Sequence, residues 1–154
     1  MSLPAVEIRE VRPGDAEFVA EHMRAADIAE VRASGHEPFA ALQRSLDASA
    51  TAWCAEVNGQ PAALFGVAPL GVALDPRGAP WFLGTDAVPR SRRALAALTP
   101  RYIAQMLGAF PHLINCVHNR NTVAVAWLER SGFVLGVTFE HPATGESFTV
   151  FEMR

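Results

Sequence analysis

Asn121-Thr122-Val123-Ala124-Val125-Ala126-Trp127-Leu128-Glu129-Arg130-Ser131-Gly132-Phe133 runs from a polar residue through a short amphipathic segment to a glycine and an aromatic. Val123, Ala126, Trp127 and Arg130 recur at the three- and four-residue spacing that stacks side chains on one helical face. Gly132 stands where a helix commonly ends on a residue of positive φ, a conformation glycine adopts without steric cost. Phe133 then opens a strand. Helix, stop and strand in this order occur in many α/β chains, so the meaning of the stretch depends on its surroundings.

Upstream, residues 113–118 are a strand, and Thr99-Pro100 predicts an N-cap with proline at the first helical position, starting a helix to about residue 109. A further helix is expected over 90–98, and a strand over 81–88. Asn58-Gly59 between two apolar runs predicts a β-hairpin with strands at 51–57 and 62–68. Residues 6–12 alternate as a half-buried strand. Helical spacing of Phe18, Val19, His22, Met23 and Ala26 predicts a helix over 15–26, and Pro38 opens another to about residue 46. Downstream, 133–139 and 147–153 are strands around a turn at 142–146. The order is β-α-α-β-β-β-α-β-α-β-β, neither strict βαβ alternation nor all-β. No repeat or break suggests a second domain, so residues 1–154 read as one.

Composition narrows the function. Half of the 154 residues are hydrophobic and 19% are charged, which suits a packed core. A net charge of −3 argues against a nucleic-acid binder, which presents a basic face. All 13 basic residues are arginine, so no lysine can act as a Schiff-base nucleophile. Cys54 and Cys116 lie in apolar runs and read as free buried thiols of a reducing compartment. They form no C-x-x-C, and the histidines lack ligand spacing, so no metal site is expected. With no secretory leader or membrane-length apolar run, a cytoplasmic location without membrane partners is expected.

The spacing N-x-x-A-x-x-x-x-x-x-x-G-F over 121–133, with this element order, resembles the GNAT superfamily of acetyl-CoA-dependent N-acetyltransferases. The resemblance implies an α+β fold: a mixed, mostly antiparallel sheet of about seven strands with about four helices packed on both faces. Trp81-Phe82-Leu83-x-Thr85-Asp86, Asn119-x-Asn121-Thr122-x-x-x-x-Trp127-Leu128 and the Gly145, Phe148, Phe151, Met153 ending resemble more narrowly a branch related to podophage internal virion proteins. In the superfamily, acetyl-CoA enters beside the helix that Asn121, Ala124 and Trp127 would line. Its pyrophosphate rests on a Q/R-x-x-G-x-G/A turn at a helix N-terminus, where free N–H groups and the helix dipole favour anions. Arg92-Arg93-Ala94-Leu95-Ala96-Ala97 aligns with that turn. Leu95 replaces the first glycine, and Arg90, Arg92 and Arg93 offer forked phosphate donors in compensation.

A second departure concerns proton donation. Many members place a tyrosine, as acid for the leaving thiolate, where this chain has Leu128. The only tyrosine, Tyr102, lies on the preceding helix. The resemblance implies an oxyanion donor from a strand bulge, expected at Asp86, Ala87 and Val88. Asp86, His118 and Glu56 are the candidate bases, His118 having the suitable intrinsic pKa. Phe39, Trp53, Phe65 and Trp81 are expected in the core or around an acceptor. Arg32, His36 and Glu37 are candidate acceptor contacts.

Two functions follow. One is acetyl transfer from acetyl-CoA to a small-molecule or peptide amine by direct attack. The other is a GNAT-fold protein that has lost this chemistry and serves as a phage structural or interaction module. A homodimer through the hairpin around Gly145, pairing Phe148, Val150 and Phe151 across an edge, is a further expectation.

Overall fold

A computed structural model describes residues 4–154. Its strands are β1 (Val6–Glu10), β2 (Thr51–Val57), β3 (Gln60–Pro69), β4 (Arg77–Gly84), β5 (His112–His118), β6 (Val134–Glu140) and β7 (Ser147–Met153). Its helices are α1 (Asp15–Glu21), α2 (Ala25–Ala33), α3 (Pro38–Ala48), the single turn α4 (Ala87–Arg90), α5 (Arg92–Ala109) and α6 (Thr122–Arg130). The strands form one sheet in the order β1-β2-β3-β4-β5-β7-β6. Every pairing is antiparallel except β4 with β5.

Strand alternation divides the core between the two faces. Cys54, Leu64 and Leu83 pack with Val19, Val31 and Leu42 from α1, α2 and α3. Their neighbours Ala55, Phe65 and Phe82 turn to the other face, against Met106 of α5 and Leu128 of α6. There Trp53 stacks on Phe65 at 5.3 Å, and Tyr102 meets both rings edge-on. Trp81, on the α3 side, donates its indole N–H to Ser49 Oγ at 2.8 Å. Three of the four aromatics expected in the core or around an acceptor are therefore packing residues, and Phe39 is exposed.

The Asn58-Gly59 hairpin forms as predicted, with φ of 49° and 82° at its two central residues. Gly132 ends α6 with φ of 101°. Other boundaries differ from expectation. The helix expected over 15–26 stops at Glu21, because Met23 bridges Thr85 and Arg24 N–H binds the Gly84 carbonyl at 2.9 Å. This docking onto β4 diverts the backbone before α2 begins. The expected break at Thr99-Pro100 is absent, and α5 runs through it for 18 residues. Pro100 is exposed, and the Thr99 hydroxyl donates to the Leu95 carbonyl at 2.9 Å within the helix. β7 is not an edge: it lies between β5 and β6, with Phe148 and Phe151 buried in the chain's own core. The edge pairing expected at Phe148, Val150 and Phe151 does not match the place of β7; β6 is the outer strand of that hairpin.

Candidate active site

β4 and β5 run parallel but pair only at Arg77 with His112 and Gly78 with Leu113. β4 continues to Gly84 and β5 to His118 without further pairing, so the sheet splits toward their C-terminal ends. Strand ends at such a break in an α/β sheet are a recurrent ligand position.

The split is held open by side chains. Asn115 sits where pairing ceases. Its amide donates to the Pro80 carbonyl at 2.8 Å, and its carbonyl accepts the Cys116 N–H at 2.8 Å, so one side chain replaces the missing ladder. At the far end α2 supplies two carboxylates one turn apart. Asp27 Oδ2 accepts the Gly84 N–H at 2.9 Å on the β4 side. Glu30 Oε1 accepts the His118 N–H at 2.8 Å on the β5 side. Between these ends Phe82, two residues before Gly84, presents its N–H and C=O toward the split by strand alternation, and β5 does not pair with it.

The carboxylates differ in their partners. Asp27 is buried and held by Arg24, with Nη2 at 2.7 Å from Oδ1. Glu30 has no ion-pair partner among the described residues. Burial pushes its carboxyl up, the His118 N–H opposes this, the Asp27 charge adds to it, and the result is a pKa of about 7. Asn121 is buried beside the pair, its amide nitrogen 3.4 Å from Asp27 Oδ1. Two buried atoms of this cluster have no partner among the described residues: Asn121 Oδ1 and His118 Nδ1.

The N-terminus of α5 adjoins the end of β4. No side chain caps it, and its first backbone bond runs from Leu95 N–H to the Ser91 carbonyl. The N–H groups of Arg92, Arg93 and Ala94 therefore precede the hydrogen-bonded ladder. Ser91 Oγ, buried at the cap position, is also without a partner. Leu95, which replaces a glycine of the expected phosphate turn, lies in the first turn of the helix and packs into the α5–α6 core. It does not crowd the helix end.

The sequence-predicted residues separate. His118, Asn121, Ala124 and Trp127 gather at β5 and α6, with the Trp127 ring 6.1 Å from Phe82. His118 is 3% exposed, with Nε2 at 3.3 Å from Glu146 Oε1, and it lines a 290 Å³ cavity with Asn119, Arg120 and Gly145. Asp86 is exposed and lines another cleft, of 660 Å³, with Phe18, His22 and Arg90. The two candidate bases thus face different cavities. The strand bulge expected over 86–88 does not form. β4 ends at Gly84, and Ala87 and Val88 donate their N–H groups to Thr85 Oγ1 at 3.2 Å and Thr85 O at 3.1 Å. A hydroxyl-bearing Thr85 before a proline-containing segment favours this turn over continued strand. Glu56 is tied to Arg9 at 2.6 Å, an ion pair of the β1–β2 edge. Burial raises the Cys116 thiol pKa, which weakens it as a nucleophile. Arg32 and Glu37 pair with each other at the surface.

Sequence reasoning missed Asp27, Glu30 and Asn115. The i, i+3 spacing of the two acids on α2 was the available signal, but only the docking of α2 across the split distinguishes them from surface carboxylates.

No protein-family model matches the sequence, and no curated protein matches it. Solved structures do. The ribosomal-protein-alanine N-acetyltransferase from Escherichia coli matches with a TM-score of 0.64 at 16% identity, over 97% of this chain and 93% of that one. A mutant spermidine N-acetyltransferase from Vibrio cholerae matches with a TM-score of 0.65 at 14% identity, over 96% and 92%. A GNAT-family acetyltransferase from Bacillus anthracis matches with a TM-score of 0.66 at 11% identity, over 99% and 96%. The architecture is the GNAT fold, as the resemblance implied. Nothing in these comparisons supports the podophage-related branch or a phage role.

Proposed function

We propose that this chain is an acetyl-CoA-dependent N-acetyltransferase in which an acceptor amine attacks the thioester directly. The observation that carries this reading is the β4–β5 split with an unpaired backbone edge at Phe82, opening beside an uncapped helix N-terminus. An extended amide-bearing arm can pair with the free edge of β4 as another strand would. Pyrophosphate suits the N–H groups of Arg92, Arg93 and Ala94, with the two guanidiniums and the orphaned Ser91 hydroxyl adding donors. Asn121, Ala124 and Trp127 flank the arm from α6. Ala87 and Val88 contribute side-chain contact, their N–H groups being engaged. With no bulge over 86–88, the Phe82 N–H is the available backbone donor for the thioester oxygen. Leu128 is buried in the core, so the thiolate leaves without a protein acid at that position.

The acceptor is an amine that arrives as an ammonium ion, for which the carboxylates at the mouth of the split are suitable company. The solved structures similar in fold include enzymes named for spermidine and for a ribosomal-protein alanine, both amine acetylations. Isothermal titration with acetyl-CoA tests the reading. Binding in the micromolar range is expected; no heat up to millimolar ligand would overturn it and leave the non-catalytic interaction module.

A further inference from the structure

We propose that Glu30, on α2, is the general base that removes a proton from the acceptor ammonium at the mouth of the β4–β5 split. The inference rests on the acetyltransferase reading above and moves to Glu30 a role expected of Asp86 or His118.

Glu30 Oε1 is fixed 2.8 Å from the N–H of the last β5 residue, while its neighbour Asp27 holds the last N–H of β4. The two carboxylates therefore span the mouth of the split, with the free backbone edge at Phe82 further in. A nucleophile reaching a thioester held along that edge passes the α2 acids. Asp86 is exposed at the α5 end, in the cleft it shares with Ser91 where the pyrophosphate is placed, and His118 keeps its Nε2 against Glu146.

Asp27 is paired with Arg24, whereas Glu30 has no ion-pair partner among the described residues and is held by the His118 N–H, with weaker help from the Asn121 amide and the Arg24 charge. The charged and titratable groups around it are Asp27 and Arg24 of the α2 segment, His118 and Cys116 of β5, and Glu146 of the β6–β7 turn behind His118. A carboxyl there with a pKa of about 7 is ionised enough to accept a proton near neutral pH and basic enough to take it. The unpartnered His118 Nδ1 and Asn121 Oδ1, both more than nine-tenths buried, supply unfilled hydrogen-bonding capacity in the same cluster.

The step balances. Glu30 takes one proton from R–NH₃⁺, and the freed lone pair attacks the thioester carbonyl carbon. The C–N bond forms, the tetrahedral intermediate expels CoA thiolate as the C–S bond breaks, and the second nitrogen proton passes to the thiolate. Glu30 returns its proton to water. With water as nucleophile, the same base yields acetate and CoA.

The test is CoA release from acetyl-CoA by the wild type and Glu30→Gln between pH 5.5 and 9, with spermidine, an N-terminal-alanine peptide, or water alone as acceptor. Glutamine keeps an oxygen for the His118 N–H but cannot act as base. Expected are acetyl-CoA affinity within twofold of wild type, kcat lower by roughly 100-fold, and loss of a wild-type acid limb centred near pH 7. Wild-type rate and limb in Glu30→Gln overturn the assignment while leaving acetyl-CoA binding standing. Binding without any CoA release above buffer by the wild type also overturns it. Absence of acetyl-CoA binding overturns the acetyltransferase reading itself, and Glu30's role falls with it.

Discussion

Gly132 and Leu95 show how differently single residues in matching motifs are decided. Gly132 has φ of 101°, so an added Cβ is strained whatever the space around it. Gly132→Ala should destabilise the fold by about 1 kcal/mol, read as a lower urea midpoint at unchanged slope. This role was legible from Gly132's place after a helical run. The side-chain direction of Leu95 was not, because it depends on where α5 begins relative to the core. The same helix start leaves Arg92 and Arg93 exposed beside free N–H groups. Replacing either with alanine should weaken acetyl-CoA binding by about tenfold, a charge-assisted hydrogen bond being worth roughly 1.5 kcal/mol. Titration at two salt concentrations checks this: the variants should lose part of the wild type's salt dependence.

At the scale of elements, carboxylates join segments that sequence alone leaves apart. Arg9 of β1 binds Asp15 at the start of α1 at 2.8 Å and Glu56 of β2 at 2.6 Å. Asp15 is buried; burial opposes its ionisation, but the Arg9 guanidinium and the Arg12 N–H outweigh it and hold its pKa below the usual carboxylate range. This stabilisation is present above the unfolded carboxyl pKa and is lost as pH falls through the lower folded value. Arg9→Ala should cost about 3 kcal/mol at pH 7 by stranding Asp15, and the deficit should shrink in acid, as urea melts at pH 7 and pH 3 would show. Asp27 has a comparable joining role between α2 and β4, which is why a helix expected to end near residue 26 is instead two helices with β4 docked at the joint. Local periodicity carried the existence of α1 but did not separate α2 from it; the Met23–Thr85 bridge sets the boundary between them.

Across the whole molecule, the sheet places one acid where its ionisation works against folding. The Glu30 carboxyl is raised from 4.5 to about 7 in the folded chain. A raised pKa contributes stability that is complete below the unfolded value and disappears as pH rises through the folded value. Wild-type stability should therefore fall between about pH 4.5 and 7 relative to Glu30→Gln, by at most about 3 kcal/mol. Thermal melts of the two proteins across that range check it, and parallel curves would contradict the burial of an unpaired carboxylate.

The seven strands and most of the helices were written in the sequence, because helix and strand periodicity, the Asn58-Gly59 turn and the Gly132 stop are local backbone preferences. Together with the resemblance of residues 121–133, they pointed to the architecture. The site was only partly legible: His118, Asn121, Ala124 and Trp127 come together because they lie on consecutive elements joined by a short loop. Asp27 and Glu30 come from a segment some 90 residues away in sequence, and nothing local marks them among the chain's other acids. Only the packing of α2 across two diverging strands takes them out of water and turns them toward the split, and that desolvation separates Glu30 from an ordinary surface carboxylate.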